Sequence, residues 1–523
     1  MSVTSLACHR FACSLAQPLC DPIFLLHGWG GNSNLWAPLI PELQKITNVI
    51  AIDLPGFGDS PKINNFSLET ILDLIAEQIM APAVLIGWSL GGMLAVQLAS
   101  RYPQKISRIV TLASNVKFVD GDGYDAAMDS TVNHQFNKSF ETAPEETLKL
   151  FGGLMAQGDA NDRVMLKKMR IMAGHQKITS NWLQALELLS ALDNRMAFAM
   201  LTQPGLHLLG EADVLVPVAA AKQLAQLNSQ QSIKILPATS HALHWSKPTE
   251  VAELISSFLI PLDKKRIAQS FSKAARTYDA VAGLQREVGE KLFHYVNVST
   301  SKNVIVDLGC GTGYFTEKLQ SVFPQSQLIG LDLAEGMVSF AQSKNQSGCK
   351  WLCADAEQLP LANNSVDVIF SSLALQWCSD LKNLFSEIVR VLKPGGQLLF
   401  TTLGPQTLNE LKSAWQQVDQ YVHVNRFRHR DDVQSALVET GFSIVNFEQS
   451  PSVVQFEKLT DLTRSLKALG AHNVNRGQAP GLQGRKKIEA FKNAYEAFRQ
   501  DDNLPATYDV FYITAYKTAE KSE

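Results

Sequence analysis

The chain has 523 residues, 46% hydrophobic and 19% charged, with 47 Lys plus Arg against 50 Asp plus Glu and a formal net charge of −3. At about 150 residues per domain, with α/β domains reaching about 250, this predicts two large globular domains and excludes a disordered chain. The balanced charge leaves no overall basic field for a phosphate backbone and argues against a dedicated nucleic-acid binder, while seven cysteines are too sparse for a disulfide scaffold.

The first twenty residues hold Cys8, His9, Arg10, Cys13 and Cys20, with no basic start leading into an apolar core. No secretory leader is expected, and the cysteine usage predicts a reducing, cytoplasmic protein. Cys349 and Cys353 lie four apart without a His pair or a second Cys pair, so no metal is expected.

The first predicted strand is Ile23-Phe24-Leu25-Leu26, which ends in His27-Gly28-Trp29-Gly30-Gly31. Further on, Ile79 to Ser100 carries no charged side chain over 22 residues. That length could cross a bilayer, but Pro82, Gly87, Ser89, Gly91, Gly92 and Gln97 interrupt it. A strand, a tight turn and a buried helix account for it better, and no membrane partner is expected. Within it, Gly87-Trp88-Ser89-Leu90-Gly91 is a Gly-x-Ser-x-Gly pattern in that strand-to-helix setting, where a strained turn lifts a nucleophilic Ser above the sheet.

Residues 118 to 200 break the strand rhythm and read as helical, and they hold seven of the eleven Met. Simple core filling and a lid over an apolar site both fit this composition. Strands then resume. Leu206-His207-Leu208-Leu209-Gly210 leads to Glu211 and Asp213, and Ile233-Lys234-Ile235-Leu236 leads to Ser240 and His241. Ser89, Asp213 and His241 each follow a strand, in the order such a triad requires. Glu211 is the rival acid, and His207 and His244 are the rival bases. Oxyanion and substrate contacts are expected from Trp29, Leu90 and Phe151.

His27-Gly28-Trp29-Gly30, Trp36, Asp53-Leu54-Pro55-Gly56-Phe57-Gly58, Gly87-Trp88-Ser89-Leu90-Gly91-Gly92, Asp213 and His241 resemble the α/β-hydrolase superfamily. The wording is most similar to the pimeloyl-[acyl-carrier protein] methyl ester esterases of biotin synthesis. The resemblance covers residues 20 to 260 and implies a serine carboxylesterase whose substrate rides on an acidic carrier protein. Arg163, Lys167 and Arg170, at i, i+4 and i+7, would form a docking face for that carrier. Met165, Met169 and Met172 would face the opposite way, toward the apolar site.

Ile260-Pro261-Leu262-Asp263-Lys264-Lys265-Arg266 marks the boundary, which gives residues 1–262 as a hydrolase domain with a lid at about 118–200, and residues 263–523 as a second domain. The halves carry 18 Lys plus Arg against 22 Asp plus Glu, and 29 against 28, so neither half alters the partner argument. The second domain restarts the α/β pattern at Val304-Ile305-Val306-Asp307-Leu308, followed by Gly309-Cys310-Gly311-Thr312-Gly313. The spacing is Gly-x-Gly-x-Gly, not the dinucleotide fingerprint, and an acid at its start suits an amino-acid ammonium. Asp332 ends the next strand, placed for ribose hydroxyls, and Asp355 follows the third, placed for an adenine amino group. Val366 to Ser372 is the fourth strand, and Leu392 to Phe400 reads as a turn and a fifth.

This set resembles class I S-adenosylmethionine-dependent methyltransferases and implies a Rossmann-like domain with Asp307, Gly309, Gly311, Gly313, Asp332 and Asp355 about the cofactor. Ala274-Ala275-Arg276-Thr277-Tyr278-Asp279, Leu375-Gln376-Trp377-Cys378-Ser379-Asp380, His423-Val424-Asn425-Arg426-Phe427 and Leu466-Lys467-Ala468-Leu469-Gly470-Ala471-His472-Asn473 are similar to malonyl-[acyl-carrier protein] O-methyltransferases of biotin synthesis. That resemblance implies a thioester-linked malonyl carboxylate as acceptor. Arg426, Arg428 and Arg430, with Arg464 and Lys467 behind them, are candidates to hold it, and Arg426 is also a candidate for carrier docking. A solvated basic face is the other reading of these cations. Tyr278 either closes over the cofactor or packs in the core. The competing functional reading is a generic serine esterase fused to a small-molecule methyltransferase of quinone type.

Overall fold

The structure, a computed structural model, describes residues 5–159, 161–174, 177–260, 262–297, 302–345, 348–419, 423–471 and 485–518. The chain divides into two compact units, Met1–Ile260 and Pro261–Glu523.

The first unit is built on seven strands: β1 (Cys8–Phe11), β2 (Ile23–Leu26), β3 (Val49–Ile52), β4 (Ala83–Trp88), β5 (Ile106–Leu112), β6 (Gly205–Gly210) and β7 (Ser232–Leu236), in the order β1-β3-β2-β4-β5-β6-β7. β1 is antiparallel to β3 at the edge, and all other pairs are parallel. β2, β3 and β4 are buried along their whole length, as befits short apolar runs covered by helices on both faces. The uncharged stretch after Ile79 forms β4 and the buried helix Leu90–Arg101. Among the described residues no helix is long and apolar enough to cross a membrane.

Between β5 and β6 lie the helices Ser130–Thr142, Pro144–Ala156, Asp162–Ala173 and Ser180–Ala191. Asp129 caps the first by accepting from the Thr131 and Val132 N–H groups, and Pro144 opens the second, where a missing N–H costs nothing. Met165 and Met169 are buried in the core cluster that holds Trp36 and Trp88. Met172, in the last turn of its helix two residues before the terminating Gly174, is exposed instead of facing inward. Met196 and Met200 are exposed as well, so the methionine-rich composition is only partly core filling.

The second unit carries β8 (Val304–Leu308), β9 (Gln327–Asp332), β10 (Lys350–Cys353), β11 (Val366–Ser372), β12 (Leu392–Leu403), β13 (Phe442–Phe456) and β14 (Leu504–Lys517), in the order β10-β9-β8-β11-β12-β14-β13. β8 to β12 are parallel, whereas β14 runs antiparallel between β12 and β13. The turn expected before the fifth strand lies inside β12. Val366 pairs with Leu392 and Val368 with Gln397, so Lys393 to Gly396 bulge out of the ladder.

Candidate active sites

In the first unit the turn after β4 places Ser89 at φ 54° and ψ −118°, a left-handed conformation that is strained for a residue with a β-carbon. The neighbours must be small for this turn to exist. A β-carbon on Gly87 would collide with the Gly91 carbonyl, and one on Gly91 with the Leu26 carbonyl. A β-carbon on Gly28 would stand 3.1 Å from the Ser89 β-carbon, so the turn after β2 abuts the nucleophile position.

His241 and Asp213 follow β7 and β6. His241 Nδ1 lies 2.8 Å from Asp213 Oδ2, with the side chains 1% and 0% exposed, so their hydrogen bond is shielded from water. The other Asp213 oxygen accepts from the Leu215 and Val216 N–H groups, which fixes the carboxylate. Glu211 is exposed and accepts from the Ala238 N–H. His207 is buried against Thr111, Gln231 and Phe198, and His244 against Trp36 and Trp88; neither has a carboxylate partner among the described residues. Trp88 is a site residue that the sequence reading passed over. Its indole N–H donates to the His241 carbonyl at 3.0 Å, tying the loop after β7 to the residue beside Ser89. Its place before the serine in the motif was the available signal.

Leu90 is the first residue of its helix, so its N–H has no intrahelical partner. The Trp29 indole donates to the Trp182 carbonyl, and its ring meets Phe136, Phe140 and Phe151 edge-on at 4.9–5.7 Å. The inserted helices thus form an aromatic wall beside the turn after β2. Arg163, Lys167 and Arg170 are exposed on the helix whose other face buries Met165 and Met169.

Burial lowers the imidazole pKa of His207 from 6.5 to about 4 and that of His244 to about 3. The unfolded chain therefore takes up protons first. Stability is full above about pH 6.5 and falls as the pH drops toward 4, by about 2 kcal/mol for each residue at pH 5. Urea unfolding at pH 7 and pH 5 checks this, with a lower midpoint expected at pH 5. Substituting His207 by Gln should about halve the difference, leaving His244's share, and equal midpoints for the parent protein would refute it.

In the second unit Gly309, Gly311 and Gly313 all take positive φ, and a β-carbon on Gly311 would meet nothing within 4 Å. That backbone is open to a ligand. Asp332 Oδ2 accepts from the Gly311 N–H at 2.9 Å and Oδ1 from the Ala334 N–H at 2.8 Å, leaving lone pairs on both oxygens for hydroxyl donors. Asp307 accepts from the Thr316 hydroxyl at 2.6 Å, and burial raises its pKa to about 7. An ammonium beside it would favour the charged carboxylate. Asp355 pairs with Lys264 at 2.5 Å, and Lys264 also pairs with Glu357, a cation the sequence reading did not place there. Open backbone after one strand and acids at or just past the C-terminal ends of three strands fit the methionine, ribose and adenine parts of S-adenosylmethionine.

The cations proposed for the acceptor divide differently. The Arg428 guanidinium donates to the Ser379 carbonyl at 2.7 Å. Arg430 donates to the Phe447 carbonyl at 2.9 Å and lies over its ring at 4.4 Å. Both are thus tied to the backbone. Arg464 is exposed beside Asp461, and Arg426 and Lys467 are exposed. Tyr278 is half-buried, and its desolvation, with Asp332 and Asp279 nearby, raises its pKa. The last two residues of the Leu466 motif, His472 and Asn473, lie outside the described residues.

These features define an α/β-hydrolase followed by a class I methyltransferase. An alpha/beta hydrolase fold family matches residues 21–248, and a methyltransferase domain family matches residues 306–400. The chain is 48% identical over 499 residues to the biotin biosynthesis bifunctional protein BioHC of Cellvibrio japonicus, covering 95% of this chain and 99% of that one. It is 40% identical to the protein of the same name from Teredinibacter turnerae, covering 97% and 95%. A malonyl-[acyl-carrier protein] O-methyltransferase of Methylovorus sp. is 42% identical over 265 residues, which are 49% of this chain and 90% of that one. The chain belongs to the bifunctional biotin biosynthesis family that joins an esterase-type hydrolase to a methyltransferase.

Proposed function

We propose that the second unit methylates the free carboxylate of malonyl-[acyl-carrier protein] with S-adenosylmethionine, and that the first later hydrolyses the methyl ester of pimeloyl-[acyl-carrier protein]. The observation that supports the hydrolase assignment is the shielded 2.8 Å His241–Asp213 pair, on a loop that Trp88, the residue before the strained Ser89, holds through its indole N–H. His241 takes the serine proton as Oγ attacks the ester carbonyl. The Trp29 and Leu90 N–H groups hold the developing oxyanion, and Asp213 holds the imidazole in the tautomer that can accept. Methanol leaves with the proton from His241, and water repeats the sequence to release the acid. Phe151 and the aromatic wall exclude bulk water and line the acyl path.

S-adenosylmethionine, held by Asp307, Asp332, Asp355 and the glycine turn, supplies an activated methyl group. The acceptor carboxylate is already an anion, so the chain needs no general base and contributes alignment and dryness. Methylation removes a charge that an apolar elongation site rejects, and hydrolysis restores it at the final chain length. Residues 1–262 and 263–523 are the two functional domains in this reading. A cytoplasmic location fits the seven free cysteines.

Docking of the acidic carrier on Arg163, Lys167 and Arg170 is the third part of the proposal, and it has its own test. Changing Arg163 and Lys167 to Glu should raise KM for the carrier-bound ester, with the effect shrinking as salt rises. Hydrolysis of a small free ester should keep its rate. Equal losses on both substrates would mean a damaged lid and would end the docking assignment.

A further inference from the structure

The second unit contains a cavity that none of the assigned cofactor residues line. Its walls include Phe271, Trp377 and Leu403, and it reaches the glycine turn through the segment after β11: Ala374 packs where a β-carbon on Gly309 would be. Two non-glycine residues of its wall, Leu373 and Leu408, hold left-handed backbone at φ 51° and 53°. Such strain concentrates where a site dictates the backbone. Among the described residues the lining has no Lys, Arg, Asp or Glu.

Its polar atoms are selective. Gln285 Oε1 and Gln376 Oε1 are buried without a hydrogen-bond partner. The Gln376 amide cannot turn round, because its Nε2 donates to the Leu373 carbonyl at 2.6 Å. These oxygens accept, so they serve N–H donors and repel a carboxylate. Tyr278, Tyr508, Thr407 and Asn425 are neutral. His423 is the lining residue able to present a cation. Its Nε2 lies 2.7 Å from Asp419, which in turn meets Lys487 at 3.4 Å. Its ring lies flat on Trp415, with centroids 3.7 Å apart and planes 4° apart, and Trp415 stacks on Phe491. A carboxylate on one nitrogen and an aromatic face beneath hold the imidazole ring in one orientation, from which its protonated form donates at both nitrogens.

We infer that this cavity is the acceptor site of the methyltransferase and that His423, not the arginines nearby, binds the terminal carboxylate of the acyl thioester. The imidazolium donates to Asp419 from Nε2 and to one acceptor oxygen from Nδ1, leaving the other oxygen to react. The glutamine oxygens accept from amide N–H groups of the arm that carries the thioester. The inference rests on the malonyl reading above.

The test titrates malonyl and acetyl carrier proteins into the full chain loaded with S-adenosylhomocysteine, followed by calorimetry. The parent protein should prefer malonyl by tenfold or more. His423→Gln should erase that preference and leave affinity for S-adenosylhomocysteine within twofold. Gln376→Glu, on another part of the wall, should weaken malonyl binding at least tenfold and spare the nucleoside. If the malonyl preference survives His423→Gln, or if Arg426→Gln erases it instead, the inference is overturned. Loss of nucleoside binding in Gln376→Glu would assign the cavity to the cofactor and overturn it too. A parent protein that binds the nucleoside but has no malonyl preference would refute the substrate reading itself.

Discussion

Replacing Ser89 by Ala should abolish hydrolysis of methyl pimeloyl carrier protein and leave methyl transfer at its original rate. The expected fall in kcat is on the order of 10⁶-fold, the size seen when the nucleophile of such a triad is removed. Ala has the same β-carbon as Ser, so it bears the same strain at φ 54° and adds none. The substitution should therefore change chemistry without unfolding the turn. Asp213→Asn should keep the geometry but favour the wrong imidazole tautomer, with a loss on the order of 10⁴-fold. Both variants are read by methanol release from the carrier-bound ester, alongside methyl incorporation from labelled S-adenosylmethionine. Esterase activity above a few per cent in Ser89→Ala would end the assignment of the nucleophile. Loss of methyl transfer in the same variant would mean that the two activities are not housed separately.

What the sequence made readable follows from how local each signal is. β2, β4, β6, β8 and β9 are short apolar runs that end in a glycine, a serine motif or an acid, so strand and site residue sit within a few positions of each other. The α/β class and both family resemblances rest on such runs. β13 and β14 were not visible. β13 is largely half-buried or exposed, with Phe442 its one buried residue, and contains Pro451, and its partner begins almost fifty residues later, beyond intervening helices. Long-range pairing of this kind leaves no local mark. The acceptor cavity is harder still, since it gathers Phe271, Leu373, Leu408, His423 and Leu466 from segments far apart in the chain. Composition even points away from it. Arg428 and Arg430 stand out as a basic cluster, yet they spend their donors on the Ser379 and Phe447 carbonyls. The choice among His207, His241 and His244 shows the same limit, because spacing left three bases open. Partners separate them: of the three, His241 alone has a carboxylate at hydrogen-bond distance among the described residues.

Asp332→Ala should weaken S-adenosylmethionine binding roughly tenfold to 150-fold, with ester hydrolysis unchanged. The carboxylate stands at the end of β9, where each oxygen already accepts one backbone N–H. Those donors aim the remaining lone pairs toward the open backbone at Gly311, where the ribose hydroxyls would sit. Hydrogen bonds to a charged acceptor are worth about 1.5–3 kcal/mol, which sets the expected range. Truncation also releases the Gly311 N–H, so part of the loss would come from a loosened turn. Asp332→Asn separates the two contributions. It retains one acceptor oxygen for the turn or the ribose but cannot serve both with charge, and it should fall between the parent and the alanine variant. Calorimetry on all three proteins gives the order directly. Unchanged affinity in Asp332→Ala would move the ribose away from β9, and the glycine turn alone would then have to account for nucleoside binding.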